Sequence, residues 1–138
     1  MKKQYTVSSE VLPQASELLQ LFSQAHWASH RSMDDTEALL QKTDVFVTVR
    51  DEARLVGFGR ALSDGVFRAL LDDIIVDQGH RKQGVGGIVV KTLVEQLSGI
   101  EEIYLHTDPP LESFYGKYGY KTYPGLTMRT ENTPAVSA

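Results

Sequence analysis

Residues 80–90 read HRKQGVGGIVV, and the three glycines within Gly84–Gly87 constrain this chain more than any other stretch. Inside a helix each would cost roughly 1 kcal/mol relative to alanine. An apolar run, LLDDIIV, ends just before them, and Val85, Ile88, Val89, Leu93 and Leu97 follow at helical spacing. The segment therefore reads as a strand, a glycine turn and a helix. Such a junction lets backbone approach a guest closely, and the helix start beyond it presents N–H groups with no intrahelical acceptor. An anion suits those groups, a phosphate above all.

The flanking elements set what can surround that junction. Gln4–Ser8 alternates as a first strand. The stretch ASELLQLFSQAHW sets Ala15, Leu18, Leu19, Phe22 and Ala25 on one stripe, a helix that runs towards His26 and Trp27. Ser32 can cap a second helix over 32–43, with Asp34 and Asp35 in its first turn. VFVTVR (45–50), ARLVGFGRAL (53–62) and VFRALLDDIIV (66–76) are three consecutive strands, the last two joined by a Ser63-Asp64-Gly65 turn. After the helix that begins near Arg81 and stops at Ser98-Gly99, IEEIYLHT (100–107) is a strand. PPLESFYGKYG is a short helix entered through proline, and YKTY and LTMRT supply late strands. The predicted order is β-α-α-β-β-β-α-β-α-β-β, an α/β architecture with a mixed sheet and helices on its faces.

A chain of 138 residues suits one domain, here residues 1–130 with a short tail over 131–138. The 41% hydrophobic and 23% charged content is ordinary for a soluble protein. A net charge of -4 argues against a general nucleic-acid or anionic-membrane binder, and no apolar run is long enough to span a bilayer. The absence of cysteine excludes disulfides, thiolate metal sites and a cysteine nucleophile. With no signal-peptide pattern, the expected compartment is the cytoplasm. Among phosphate motifs, a Walker loop needs a lysine followed by serine or threonine, which is missing here. A dinucleotide fingerprint is broken at Val89, and three strands in a row upstream do not suit that fold.

Arg81-Lys82-Gln83-Gly84-Val85-Gly86 resembles the [QR]-x-x-G-x-[GA] acyl-CoA pyrophosphate loop of the GNAT superfamily of N-acetyltransferases. Phe114-Tyr115-Gly116-Lys117-Tyr118-Gly119-Tyr120 resembles the same family's FYxKxGF segment, and the order of elements agrees over most of the chain. The resemblance implies the GNAT fold and acetyl-CoA as co-substrate, with backbone N–H groups from Lys82 to Gly87 on its pyrophosphate. It also implies that the Ile74, Ile75 and Val76 backbone pairs with the pantetheine arm, a main-chain N–H near Val76 facing the thioester oxygen. Tyr115 matches the tyrosine that returns a proton to the CoA sulfur.

The acceptor implied is a primary amine of a small molecule or peptide, attacked directly in a ternary complex; no metal is called for. An amine must lose a proton to react, since a lysine-type amine has a pKa near 10.4. The position used by the histone-acetylating branch is Leu70, which cannot accept it. Asp72 is the first candidate for the base and Asp73 the second, an acidic pair resembling that of the glucosamine-phosphate acetyltransferases. Strand alternation sends them to opposite faces, Asp72 beside Leu70 and Ile74.

His26, Trp27, His30 and Arg31 are candidates for substrate contact, because the segment between the first two helices often covers the acceptor pocket in this fold. His80 reads as a solvated turn residue, and His106 as a strand end near the cleft. A homodimer is compatible with the family. A second function class, an acyl-CoA-binding or sensing domain without turnover, shares the loop and differs in what Asp72 and Tyr115 do.

Overall fold

The computed structural model describes residues 3–132. Its elements are β1 (Thr6–Ser8), α1 (Ala15–Phe22), α2 (Met33–Gln41), β2 (Val45–Asp51), β3 (Arg54–Ser63), β4 (Arg68–Val76), α3 (Val85–Gln96), β5 (Glu102–Tyr104) and α4 (Glu112–Gly116), with short 3-10 turns before α3 and α4. The sheet runs in chain order, β1-β2-β3-β4-β5. Neighbours are antiparallel through β4, and β5 lies parallel to β4 across the α3 crossover.

Two apolar clusters hold this sheet between helices. On one face Leu18, Leu21 and Phe22 of α1 and Leu40 of α2 meet Phe46, Leu55, Phe58 and Ile75. On the other Val85, Val89 and Leu93 of α3, with Leu97 beyond it, meet Val47, Val49, Val56, Ala61, Ala69 and Leu71. The caps follow their sequence signals. Ser32 Oγ accepts the Asp35 N–H at 3.1 Å. Asp64 accepts three backbone N–H groups, from Val66, Phe67 and Arg68, and closes the β3–β4 turn.

Three expectations give way. The first helix ends at Phe22, and a succession of i→i−3 turns carries the chain through His26 to Arg31. β5 ends at Tyr104, short of the expected Thr107. The two late strands do not form: Tyr123, Leu126 and Met128 are at least 74% exposed, beside an edge strand of only three residues. A strand needs a partner ladder, and Pro124-Gly125 interrupts the only run long enough to build one. Of the expected tail over 131–138, residues 133–138 lie outside the described residues.

Candidate active site

β4 and β5 pair at Arg68↔Glu102, Ala69↔Ile103 and Leu70↔Tyr104, and there the ladder stops while β4 runs on to Val76. On the other side β4 stays paired with β3, and Asp77 N–H donates to the Val56 carbonyl at 2.8 Å. Successive N–H groups of a strand turn to opposite edges. Those of Val76 and Ile74 therefore face the edge that β5 has left, as an open template for an extended guest.

The glycine turn lies at the end of that edge. Lys82 and Gly84 both have left-handed backbone, φ 62° and 88°, and Gly84 is the residue that precedes α3. At Gly84 it is the φ and not crowding that favours glycine, since among the described residues no neighbour comes within 4 Å of where its Cβ would stand. The first helical bond of α3 runs from Ile88 N–H to the Gly84 carbonyl, so Val85, Gly86 and Gly87 direct N–H groups out of the helix end. Arg81 and Lys82 are exposed beside them. Backbone donors, helix dipole and two cations together favour an anion. Gly87 has another reason to be glycine: a Cβ there would stand 2.5 Å from the Tyr118 hydroxyl. The Gln83 side chain is engaged within the protein, accepting the Tyr5 hydroxyl at 2.8 Å.

The acidic pair departs from the alternation expected of it. Phe58 pairs with Ile75 but Arg60 pairs with Asp72, so Gly59 faces two residues of β4, a bulge centred on Asp73 with φ 52°. The extra residue brings both carboxylates to one face. Arg60 Nε donates to Asp73 at 2.7 Å while its Nη2 reaches Asp72 at 3.4 Å. Ile74 instead turns to the α3 side, near Val89 and Leu93. Asp73 has a fully buried side chain held by Arg60 and by Arg31 Nη1 at 2.9 Å, which leaves it structural rather than free for proton transfer. The Asp72 side chain is 44% exposed and accepts its neighbour's N–H. It is the carboxylate open to a ligand.

The Arg31 side chain is largely, not fully, buried. Its guanidinium lies 4.5 Å from the Phe22 ring centroid and 5.6 Å from that of Trp27 while it bonds Asp73. It fastens the α1–α2 connection over the bulge. His26, Trp27 and His30 stay exposed on that connection, and His26 and His30 do not share a helical face. Beyond Asp72 on β4, a cavity of about 400 Å³ is lined by Leu62, Leu70 and Tyr104 among others. Leu62 pairs with Leu70 across the strands, one pair along the same face from Arg60 and Asp72.

α4 closes the other side. Phe114 Cζ and Val76 Cγ2 both lie within 4 Å of the spot a Gly86 Cβ would occupy, so α4 sits over the start of α3. Tyr115 is buried against Phe114, with ring centroids 4.9 Å apart. Burial pushes its phenol pKa up, which keeps the proton in place near neutrality. Tyr120 packs edge-on to Tyr115, and its buried hydroxyl has no partner among the described residues. His106 is exposed beyond the end of β5.

His80 is not a solvated residue: its side chain is 11% exposed and bonded on both ring nitrogens. The sequence pattern reads it as a solvated turn residue and gives Arg60 and Asp77 no role. Their partners are mostly far along the chain, and no local motif announced them.

A family model described as the acetyltransferase (GNAT) family matches residues 12–120. GCN5-related N-acetyltransferase 1, chloroplastic, from Arabidopsis thaliana is 38% identical over 92 residues, 64% of this chain and 47% of that protein. An uncharacterized N-acetyltransferase, ycf52, from Pyropia yezoensis is 30% identical over 110 residues, 75% of this chain and 63% of that one. This chain thus spans about half to two thirds of these relatives. Among solved structures, a GNAT family acetyltransferase from Streptococcus pneumoniae superposes with a TM-score of 0.76 at 19% identity, covering 94% of this chain and all of that one. Glucosamine-6-phosphate N-acetyltransferase from Arabidopsis thaliana gives 0.76 at 14% identity, covering 94% and 99%.

Proposed function

Because the chain belongs to the GNAT acetyltransferase family, we propose that it moves the acetyl group of acetyl-CoA to a primary amine of a small molecule or peptide, by direct attack in a ternary complex. The observation that carries this reading is the open β4 edge leading into the glycine turn. An acyl-CoA has a pyrophosphate for the N–H groups of Val85–Gly87 and an amide-bearing arm for the Ile74–Val76 backbone.

Each residue then has a task. The N–H of Val76 faces the thioester oxygen, where negative charge grows as the amine attacks, and that of Ile74 is left to the amide-bearing arm. Asp72 holds the acceptor's ammonium and, directly or through water, takes the proton it must lose. As the carbon–sulfur bond breaks, Tyr115 supplies a proton to the sulfur, its phenol being kept protonated by burial. Asp73 leaves this scheme and becomes the anchor of the bulge that aims Asp72. The body of the acceptor lies over Leu62 and Leu70. No cysteine offers a covalent station, which favours direct transfer.

The test is calorimetric titration with acetyl-CoA, NAD and ATP serving as controls, followed by an amine panel read as free CoA thiol. Saturable binding of acetyl-CoA alone with amine-dependent thiol release is the expected result. Asp72→Ala and Tyr115→Phe should slow turnover about 100-fold or more, the general acid–base range, with acetyl-CoA affinity kept. Binding without turnover on any amine would favour the sensing-domain reading, and no acetyl-CoA binding would overturn both.

A further inference from the structure

His80 lies immediately before the turn, at the end of the 3-10 segment Gln78–His80. Its Nδ1 is 2.8 Å from Asp77 Oδ2, just past the end of β4, and its Nε2 is 3.0 Å from Asp51 Oδ2, at the end of β2. Each ring nitrogen thus stands within hydrogen-bond distance of a carboxylate oxygen. Neither nitrogen is left for a reacting group. Every charged partner around this bridge is itself engaged. Lys3 reaches Asp51 at 3.0 Å, and Arg54 and Gln24 donate to Asp77 at 3.0 and 2.9 Å. Gly79 N–H donates to Asp77 as well. The Tyr5 ring stands edge-on to the imidazole, centroids 6.2 Å apart, while its hydroxyl holds Gln83.

What this bridge supports is the strained part of the turn. Two residues beyond His80, Lys82 adopts φ 62° without being glycine, a conformation that persists only where the surroundings impose it. The turn is pinned at His80 on its entry side and by Tyr5–Gln83 in its middle, and its exit is α3. Its exposed N–H groups stay aimed only while those pins hold.

We infer that His80 is a positioning residue for co-substrate binding: by bridging Asp51 and Asp77 it holds the Arg81–Gly84 turn in the shape that receives the acyl-CoA pyrophosphate. The inference rests on the acetyltransferase reading above. A turn released at His80 must be re-ordered by the ligand, so affinity for acetyl-CoA falls while the chemistry, set by Asp72 and Tyr115, does not. The expected weakening is about tenfold, on the order of the cost of ordering one backbone residue.

The experiment compares wild type, His80→Ala, His80→Asn and Asp51→Asn by acetyl-CoA calorimetry and by steady-state kinetics, at a temperature where circular dichroism shows each folded. His80→Ala should raise the acetyl-CoA Kd and KM about tenfold, leaving kcat at saturation and the amine KM within twofold. His80→Asn can reach Asp77 alone, and Asp51→Asn weakens the other contact; both should give a smaller loss. Asp51→Asn added to His80→Ala should weaken binding no further. Should His80→Ala fail to fold, the two milder variants decide. Variants that melt earlier yet bind acetyl-CoA as wild type does would make the bridge a stabilising staple only and overturn the inference. A wild type that does not bind acetyl-CoA refutes the function instead, so the two failures are separable.

Discussion

Replacing Asp73 should damage this protein more than replacing any other single carboxylate, and the size of the effect follows from its contacts. The side chain is fully buried and accepts charged hydrogen bonds of 2.9 Å from Arg31 and 2.7 Å from Arg60. Removing one partner of a buried ion pair costs roughly 3–5 kcal/mol, because the remaining charge stays desolvated. Asp73→Asn keeps the volume, one acceptor and tolerance of the left-handed backbone, so its cost falls at about 3 kcal/mol, the low end of that range. Asp73→Ala keeps no acceptor and must hold φ 52° without a polar side chain, adding about 1–2 kcal/mol for a total near 5. Against a total stability of roughly 5–15 kcal/mol, the alanine variant approaches unfolding at 25 °C. Urea denaturation followed by far-ultraviolet circular dichroism gives the global number. Fluorescence of the single tryptophan, Trp27, whose ring lies 5.6 Å from the Arg31 guanidinium, reports the α1–α2 connection separately. The expected order of stability is wild type, asparagine, alanine, with the Trp27 signal altered in both variants before any denaturant is added. An asparagine variant within about 0.5 kcal/mol of wild type, the usual range for an unimportant surface change, would refute the anchoring role.

Asp77 is the acid-sensitive joint. Burial alone would push its carboxyl up, but hydrogen bonds from Gln24 and His80, the Arg54 charge and the Gly79 N–H outweigh it and hold the pKa at about 2. A depressed carboxyl contributes stability above its unfolded value, near 3.9, and loses it as pH falls towards 2. Wild type should therefore lose about 2 kcal/mol relative to Asp77→Asn between pH 4.5 and pH 2, measured by urea melts across that window. Tyr120→Phe removes a buried hydroxyl with no partner among the described residues, whose pKa burial and Tyr115 push up to about 12; the variant should be neutral or up to about 1 kcal/mol more stable by thermal melting. Gly84→Ala must hold φ 88° and should cost about 1–2 kcal/mol together with acetyl-CoA affinity; a variant as stable as wild type would show that the turn readjusts.

What could be read in the sequence is what neighbours in the chain decide. The glycine turn was legible because a left-handed φ at a strand-to-helix junction leaves its mark at the position itself, Gly84. The α2 cap was legible because Ser32 and Asp35 lie three residues apart. The bulge was not. An aspartate in left-handed backbone carries no signal of its own, and the groups that fix it, Arg60 and Arg31, are 13 and 42 residues away. Missing one inserted residue inverted the faces of everything on one side of it, so Asp72 was placed with Ile74 when it belongs with Asp73. The end of β5 was missed for a similar reason. IEEIYLHT has a strand's composition throughout, but pairing stops where β4 and β5 diverge, and composition does not carry that divergence. The same divergence opens the edge on which the functional reading depends. Along β4 and β5 the local pattern and the three-dimensional one part at Asp73 and at Tyr104. The ladder ends at the Leu70–Tyr104 pair and the Asp73 bulge falls within the part of β4 left unpaired towards β5, as expected if departures from regular pairing collect where a sheet must make room for a ligand.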